Sequence, residues 1–161
     1  MSNGLNVKKR NGRGTESLNL EKMHKMVEEA TKGLAGVSAS QVEIQSGIQF
    51  YDGITTEEIQ GILIKSASDL IDLDHPNYQF VAARLLLFAV RKQIYGKMRE
   101  LPHLEQHIYN CTSREVYDKD IFTKYSKEEI DKANGYIDHS RDFLFTYAGL
   151  RQVVDKYLVQ D

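Results

Sequence analysis

The fold of this chain is decided by residues 7–22, which read VKKRNGRGTESLNLEK. They predict two short β-strands joined by a tight turn, because Asn11 and Gly12 both tolerate the positive φ angles that a two-residue hairpin requires. Apolar residues then recur at three- and four-residue spacings from Leu20 to Leu34, which is typical of one helix face. We therefore expect a β-hairpin followed at once by an amphipathic helix.

The same stretch concentrates groups that can recognise a nucleoside polyphosphate. Lys9 and Arg10 belong to the first strand, Glu16 to the second, and Asn19 and Lys22 to the start of the helix. Cations of this kind meet phosphates, while a carboxylate and an amide can read the edges of a base or a sugar. The alternative interpretation is a solvated basic turn, because clusters of Lys and Arg are common on protein surfaces.

Start and stop signals predict two helices before residue 53. The first helix should end near Lys32, where glycines follow. Ser40 with Glu43 has the spacing of a capping box, which predicts a second helix as far as Phe50. The apolar positions of that helix are Ile44, Ile48 and Phe50.

Two longer helices are predicted between residues 54 and 96. The third helix begins at a cap formed by Thr55 with Glu58, or by Thr56. It ends before His75-Pro76, since the residue before a proline disfavours the helical conformation. The fourth helix runs from about Asn77 to Tyr95, and its two apolar rows indicate that it packs on more than one neighbour.

Shorter helices with a looser pattern are predicted after residue 96. They span about Leu101–Cys111, Tyr117–Lys124, Ser126–Ile137 (opened by a Ser126/Glu129 capping box) and Arg141–Asp155. Residues 157–159 look like the start of a strand. The last helix carries more apolar and aromatic side chains than so short a segment can bury, so we interpret the tail as the start of a larger domain that is cut short.

The composition is that of a soluble globular protein and disfavours several functional classes. The 161 residues are 41% hydrophobic and 27% charged, and the net charge of −2 provides no basic field for nucleic acid or anionic membranes. No apolar run approaches the ~20 residues that span a bilayer. Cys111 is the single cysteine and the N-terminus has no apolar signal segment, so we expect a cytoplasmic location.

Two further clusters carry chemistry that has to be weighed. His103, His107 and Cys111 recur every four residues and could offer ligands to a soft metal, but two exposed histidines and a buried thiol are the preferred interpretation. His139 lies within the polar run Asp138–Asp142, where helix capping and salt bridging are preferred over an acid–base role. We therefore assign neither a metal site nor a catalytic residue.

The ordered motifs of the first 96 residues resemble an ATP-cone, a regulatory nucleotide-binding module. They are Val7-x-Lys9-Arg10-x-Gly12, Glu16-x-Leu18-Asn19-Leu20-x-Lys22, Ser40–Glu43, Ile48–Ile54, Asp69–Ile71, Pro76-x-Tyr78-Gln79, Ala82–Leu85 and Arg91-Lys92-x-x-Tyr95-Gly96. Residues 137–142 and 156–160 are similar to the start of the helical domain that follows the cone in the large (α) subunit of class I ribonucleoside-diphosphate reductase.

The resemblance implies a mainly α fold, in which an N-terminal β-hairpin caps a four-helix ATP-cone over residues 1–96. Residues 97–161 would be the start of the helical domain, truncated before the catalytic barrel. In that family the cone binds ATP or dATP, with Mg²⁺, and sets overall activity. The implied partners are the remainder of the α subunit, or a separate fragment of it, and the small (β) subunit.

The resemblance also implies roles for individual residues. Val7, Met23 and Ile59 would sandwich the adenine, and Glu16 and Asn19 would hydrogen-bond its edge. The phosphates would be held by Lys9, Arg10, Lys22, Thr56 and Lys92. A helix N-terminus at Thr56 favours an anion, whereas for Lys92 the alternative is complementation of a helix C-terminal dipole. One cysteine cannot form the redox pair that ribose reduction needs, so we expect this chain alone to be catalytically inactive.

Three departures from the family pattern favour nucleotide binding over a working dATP switch. Gln60 stands where members that respond to dATP commonly carry histidine, and Glu29 stands where cones that hold a second nucleotide carry tryptophan. The hairpin has one extra residue near Arg13-Gly14. Two alternative functions stay open: an assembly fragment of a split α subunit, and a nucleotide-responsive regulator, although that family needs four cysteines for a zinc ribbon.

Overall fold

A computed structural model describes residues 4–9 and 14–158 of the chain. The first part contains β1 Asn6–Lys8, β2 Thr15–Ser17, α1 Leu20–Thr31, α2 Ala39–Gly47, β3 Ile54–Thr55, α3 Thr56–Asp69 and α4 Tyr78–Tyr95. The second part contains α5 Leu104–Ser113, α6 Ile121–Lys124, α7 Lys127–Gly135, a 3₁₀ helix His139–Leu144 and α8 Tyr147–Lys156. The fold is mainly α with a small N-terminal sheet, which confirms the predicted fold class.

The sheet has one strand more than the predicted hairpin. β1 and β2 pair antiparallel with Val7 opposite Glu16, as expected, while the predicted Asn11-Gly12 turn falls outside the described residues. β3 pairs parallel to β1 with Ile54 beside Val7. A two-residue strand has no periodicity to recognise, which is why the sequence pattern missed it.

A turn at Asp52-Gly53 brings β3 to β1. Asp52 Oδ1 accepts hydrogen bonds from the backbone N–H of Asn6 at 2.8 Å and from its side-chain amide at 3.0 Å. Gly53 has a φ of +83°, a conformation that glycine adopts without strain, and its N–H donates to the Asn6 carbonyl at 2.8 Å. The turn is thus fastened to the first strand from both sides.

The start of α2 differs from the prediction. Its N-cap is Ser38, whose hydroxyl accepts from the Gln41 N–H at 3.4 Å, so the Ser40/Glu43 capping box is wrong. The buried Tyr78 hydroxyl fixes this start by accepting from the Ser38 N–H at 3.0 Å. Glu43 is free to bond His24 Nδ1 on α1 at 2.7 Å.

The end of α2 and its buried face also differ from the prediction. The helix ends at Gly47 rather than Phe50. Ile44 and Ile48 are 70% and 82% exposed, while Val42 and Ser46 are fully buried. α2 therefore buries the face of Val42 and Ser46 rather than that of the two isoleucines, which a search for apolar spacing alone cannot detect.

The central helices follow the sequence closely. Thr55 is the N-cap of α3 and forms a complete capping box with Glu58, which decides between the two predicted caps. α4 ends where Gly96, at a φ of +71°, donates to the Lys92 carbonyl. α4 packs against α1, α3 and α8, so the expectation from its two apolar rows is confirmed.

The C-terminal part is more broken than predicted. The single helix expected over residues 141–155 is a 3₁₀ helix and α8, separated by the extended Phe145 and by Thr146, whose hydroxyl accepts from the Gly149 N–H. The Ser126/Glu129 capping box of α7 is confirmed. Tyr157 retains a helical backbone after α8, so residues 157–158 do not continue as a strand, and Val159 falls outside the described residues.

α8 and the 3₁₀ helix are held on α4 by apolar and cationic contacts. Leu150 packs with Leu86 and Leu87, and the centroid of the Phe143 ring lies 5.4 Å from the Arg84 guanidinium and 5.6 Å from that of Arg91. Contacts of this kind are typical of arginine over an aromatic face. In the part of the chain that the structure describes, no helix is both long and apolar enough to cross a lipid bilayer.

Candidate functional site

A pocket of about 410 Å³ opens where the sheet meets the ends of three helices. It is walled by β1, β2, the first two turns of α1, the start of α3, the end of α4 and the segment after α4. Nine of the ten residues predicted from the sequence line it: Val7, Lys9, Glu16, Asn19, Lys22, Met23, Thr56, Ile59 and Lys92. The tenth, Arg10, lies outside the described residues.

The apolar part of the pocket lies on the sheet and on two helices. Val7 is 3% exposed and Ile59 is 7% exposed, and Met23 is partly buried against the same core. Val7 is fixed by pairing with Glu16 on one side and Ile54 on the other. These side chains form an apolar slot, of the kind that accepts a flat aromatic ring.

The polar part of the pocket is dominated by cations gathered around one carboxylate. Lys9 Nζ lies 2.7 Å from Glu16 Oε2. This hydrogen bond is the largest cause of a lowered pKa at Glu16, and the charges of Lys9, Lys22 and Lys92 lower it further. Glu16 therefore remains an anion at neutral pH, and the three lysines share one electropositive region.

The start of α1 orients two of the predicted residues. Asn19 is the N-cap, and its side-chain oxygen accepts from the Lys22 N–H at 2.8 Å. The amide oxygen of Asn19 therefore already accepts one hydrogen bond, and its NH₂ group is the part that can donate to a ligand. Lys22 follows in the first turn, so the cap sets the positions of both side chains.

The start of α3 contributes Thr56 as its first helical residue. Thr55 holds this end by accepting from the Glu58 N–H at 3.1 Å and by donating its hydroxyl to Glu58 Oε2 at 2.8 Å. Gln60 lines the pocket one turn further on and is 7% exposed. The capping box thus fixes the helix end whose dipole favours an anion.

Several lining residues were missed by the sequence reasoning. Ser17 and Leu18 are immediate neighbours of predicted residues, and Met26 lies one turn after Met23 on α1. The helical spacing of Met23 and Met26 was a usable signal. Met98 had no signal, because it comes from an irregular segment between α4 and α5.

The three departures from the family pattern differ in how they relate to this pocket. Gln60 is among the lining residues of the pocket, whereas Glu29 is not. Glu29 lies on α1, and its Oε2 atom forms an ion pair with Arg99 Nη2 at 3.0 Å. At the third, Gly14 has a φ of +94° and its carbonyl accepts from the Lys9 N–H at 2.9 Å, whereas Arg13 lies outside the described residues. Gly14 therefore helps to position Lys9, the residue that directly follows β1.

The His103, His107 and Cys111 series does not converge on one point. His107 is packed edge-on against Tyr95 and Tyr117, and burial lowers its pKa. Its ring nitrogens lie 3.7 and 3.9 Å from the Cys111 sulfur. His103 is exposed as expected, but His107 is half-buried and the thiol is only partly buried, so that part of the interpretation is wrong.

His103 instead belongs to an exposed group with Glu105 and Asp131, whose potential ligand atoms lie within 4.8 Å of one another. The backbone N–H of Glu105 donates to His103 Nδ1 at 3.3 Å, so the imidazole caps α5. A neutral ring that accepts at Nδ1 carries its proton on Nε2, the atom that faces Asp131. This tautomer does not suit coordination at Nε2.

The polar run around His139 has the structural roles that were predicted. Asp138 caps the 3₁₀ helix through the Ser140 N–H at 2.9 Å. Asp142 accepts from Arg91 Nη2 at 2.6 Å, and His139 Nδ1 lies 3.8 Å from the same carboxylate. Capping and salt bridging are confirmed for this segment.

The fold agrees with what comparison with known proteins finds. The model of the ATP cone domain family matches residues 5–93, so this chain belongs to the ATP-cone family. The chain is 45% identical over all 161 residues to the ribonucleoside-diphosphate reductase subunit alpha of Haemophilus influenzae, of which it covers 21%. It is equally similar, at 45% over the same length, to the ribonucleoside-diphosphate reductase 1 subunit alpha of Escherichia coli.

A more distant relative is the ribonucleoside-diphosphate reductase subunit alpha of Enterobacteria phage T4, which is 40% identical over 159 residues. The chain spans about a fifth of the length of these curated relatives and resembles their N-terminal region. The similarity therefore extends past the family domain, through the helices that follow residue 93.

Proposed function

We propose that the pocket binds an adenine nucleotide, ATP or dATP, and that the chain is the overall-activity regulatory region of a ribonucleoside-diphosphate reductase large subunit. The observation that carries the proposal is the gathering of nine predicted residues, distant in sequence, around one pocket with an apolar slot and a cationic end. In this proposal residues 1–96 are the nucleotide-binding unit, residues 97–161 begin the helical domain, and the location is cytoplasmic.

The proposed pose puts the adenine in the slot between Val7, Met23 and Ile59. The Glu16 carboxylate accepts from the exocyclic amine of the base, and the Asn19 NH₂ group donates to a ring nitrogen. These two groups supply opposite hydrogen-bonding characters, since the oxygen of Asn19 already caps α1. A base that presents a carbonyl where adenine has its amine would meet the Glu16 anion and be disfavoured.

The triphosphate would lie among Lys9, Arg10, Lys22, Thr56 and Lys92. The lysines around Glu16 supply the positive field, and the N-terminus of α3 adds the favourable end of a helix dipole. Glu57 and Glu58 in the first turn of α3 carry negative charge that offsets the positive potential of this helix end. The lysine side chains therefore supply most of the attraction for the phosphates. Charge-assisted hydrogen bonds to phosphate are each worth about 1.5–3 kcal/mol.

Mg²⁺ is proposed to enter with the nucleotide. Glu16 is the one carboxylate among the lining residues that the structure describes, and Lys9 pairs with it. Mg²⁺ commonly binds through phosphate oxygens and water with few protein ligands. A donor set of this kind fits a metal that neutralises the phosphates rather than one held permanently by the protein.

Isothermal titration calorimetry of ATP and of dATP, each with Mg²⁺, tests the proposal. We expect micromolar binding, about −8 kcal/mol. The double variant Lys9→Ala/Arg10→Ala should abolish measurable binding, because it removes two of the proposed phosphate contacts. The matched control Lys119→Ala/Lys124→Ala removes two exposed cations outside the pocket, and it should bind like the wild type. A folded wild-type sample that gives no heat with either nucleotide would refute the proposal.

The same proposal makes the remainder of the α subunit and a β subunit the partners of this chain. Support comes from the relatives, which are named alpha subunits, and from exposed apolar side chains in the second part of the chain, such as Tyr136, Leu144 and Tyr157. Size-exclusion chromatography with and without the remaining α fragment and β, at saturating ATP or dATP, checks it. Elution unchanged by either addition would count against an assembly role.

A further inference from the structure

Met98 lines the candidate site although it lies outside the residues that match the family domain. The family model ends at residue 93, whereas Met98 forms part of the pocket wall with Lys22 and Met26. Its side chain also packs against the main core. Resting on the proposed function, we infer that Met98 contacts the bound nucleotide and that residues 96–100, here termed the strap, close the site on the α1 side.

A second cavity shows why Met98 acts as a wall. This cavity, of about 400 Å³, is lined by Lys97 and Arg99 of the strap, and it shares Lys22, Met26 and Met98 with the candidate site. Met98, Lys22 and Met26 line both cavities and so lie between them. Truncation of Met98 to alanine would remove apolar surface from the wall of the slot, which weakens the burial of a ligand.

The strap is held against α1 by one ion pair, and its own shape is set by a second ion pair and by its backbone conformation. Arg99 Nη2 lies 3.0 Å from Glu29 Oε2 on α1, and Lys97 Nζ lies 2.9 Å from Glu100 Oε2. Gly96 and Glu100, at its two ends, have φ angles of +71° and +56°. A left-handed glutamate is uncommon and indicates that the surrounding contacts impose the conformation. Arg99 is therefore a positioning residue for Met98.

The strap connects the pocket to the chain beyond it. It follows α4, whose last turns carry Lys92, and α5 begins at Leu104. A ligand that contacts Met98 favours the closed strap and thereby fixes the direction in which the following helices leave the cone. Coupling of this kind is reciprocal, so loosening the strap must weaken nucleotide binding.

Calorimetry of ATP and dATP with the full chain tests the inference. Met98→Ala should weaken both nucleotides by about tenfold, because the lost contact is apolar and does not read the sugar. Met98→Leu, which keeps most of the volume, should bind within about twofold of the wild type. Arg99→Ala should weaken binding by about threefold, as the loss of a surface ion pair allows. Lys65→Ala, which breaks the similarly exposed Lys65–Asp69 pair away from the pocket, should change nothing.

Amide hydrogen exchange distinguishes contact between Met98 and the nucleotide from a purely structural role of Met98, because only the contact makes exchange in the strap depend on ATP. In the wild type, ATP should slow amide exchange at residues 97–100, and Met98→Ala should lose this protection while remaining folded. Met98→Ala binding as tightly as the wild type, with Lys9→Ala/Arg10→Ala binding weakly, would overturn the inference and leave the proposed function standing. No binding by the wild type would overturn the proposed function, and the inference with it.

Discussion

Replacement of Tyr78 by phenylalanine should destabilise the chain by about 1–2 kcal/mol, because the hydroxyl joins α4 to the start of α2. Tyr78 is 1% exposed. Its hydroxyl accepts from the Ser38 N–H at 3.0 Å and donates to the Gln41 side-chain oxygen. The substitution removes one atom and leaves the ring packing intact, so the change isolates these two hydrogen bonds.

The magnitude follows from what each partner can do afterwards. The Ser38 N–H is partly buried and loses its acceptor, which costs about 1–1.5 kcal/mol, at the lower end for an unsatisfied donor. Gln41 is exposed and can turn its oxygen to water, so its share is a few tenths of a kcal/mol. For a chain of this length the sum corresponds to a fall of about 2–8 °C in Tm.

Urea unfolding followed by circular dichroism measures the effect, with Tyr51→Phe as the matched control. The Tyr51 hydroxyl also donates to a side chain, Glu58, at 2.8 Å, but the residue is 51% exposed, so its loss should cost less than about 0.5 kcal/mol. The m-value should stay unchanged in both variants. Equal unfolding free energies for Tyr78→Phe and the wild type would refute the assignment of the α2 start to this hydroxyl.

Two further predictions concern charged contacts. Asp142→Asn should lower the free energy of unfolding by about 1–2 kcal/mol, because the buried Arg91, which is 8% exposed, loses the anion 2.6 Å away. The control Asp69→Asn breaks an exposed pair with Lys65 and should stay within about 0.5 kcal/mol of the wild type. Equal losses of stability in the two variants would contradict this prediction. Hydrogen bonds lower the pKa of Glu58, first from the Thr55 backbone and then from the Tyr51 and Thr55 hydroxyls. The Glu58 carboxylate therefore stabilises the fold fully at pH values above the ordinary glutamate pKa of 4.5. This stabilisation is lost as the pH falls through the lower pKa that Glu58 has in the folded chain. Thermal scans from pH 6 to pH 3 should therefore show a smaller acid-induced loss of Tm for Glu58→Gln than for the wild type, and parallel curves would argue against it.

The parts of the fold that the sequence predicts correctly are those with a local chemical signal. Two of the predicted capping boxes, at Thr55/Glu58 and Ser126/Glu129, are confirmed because each needs only a hydroxyl and a carboxylate three residues apart. The Ser40 box has the same pattern and fails. There a tertiary contact, from Tyr78 to Ser38, selects another cap, and no local pattern contains that contact.

The candidate site divides in the same way. Residues on β1, β2 and the starts of α1 and α3 stand in motifs, and they come together because the strand pairing and the helix caps leave little freedom. Met98 and β3 were not predicted from the sequence because their positions depend on long-range contacts. Met98 is positioned by the ion pair between its neighbour Arg99 and Glu29, and β3 by its pairing with β1. A residue in irregular structure between two helices carries no period that could reveal it.

The ion pair between Lys9 and Glu16 gives the proposed complex its selectivity for a charged nucleotide. In the free chain the two side chains lie 2.7 Å apart, so each charge is compensated by the other. A nucleotide that brings both an amine for Glu16 and phosphates for Lys9 replaces the pair with two new charge-assisted contacts. A nucleoside without phosphates would compete with Lys9 for Glu16 and offer the lysine nothing in return, so the pair would oppose its binding.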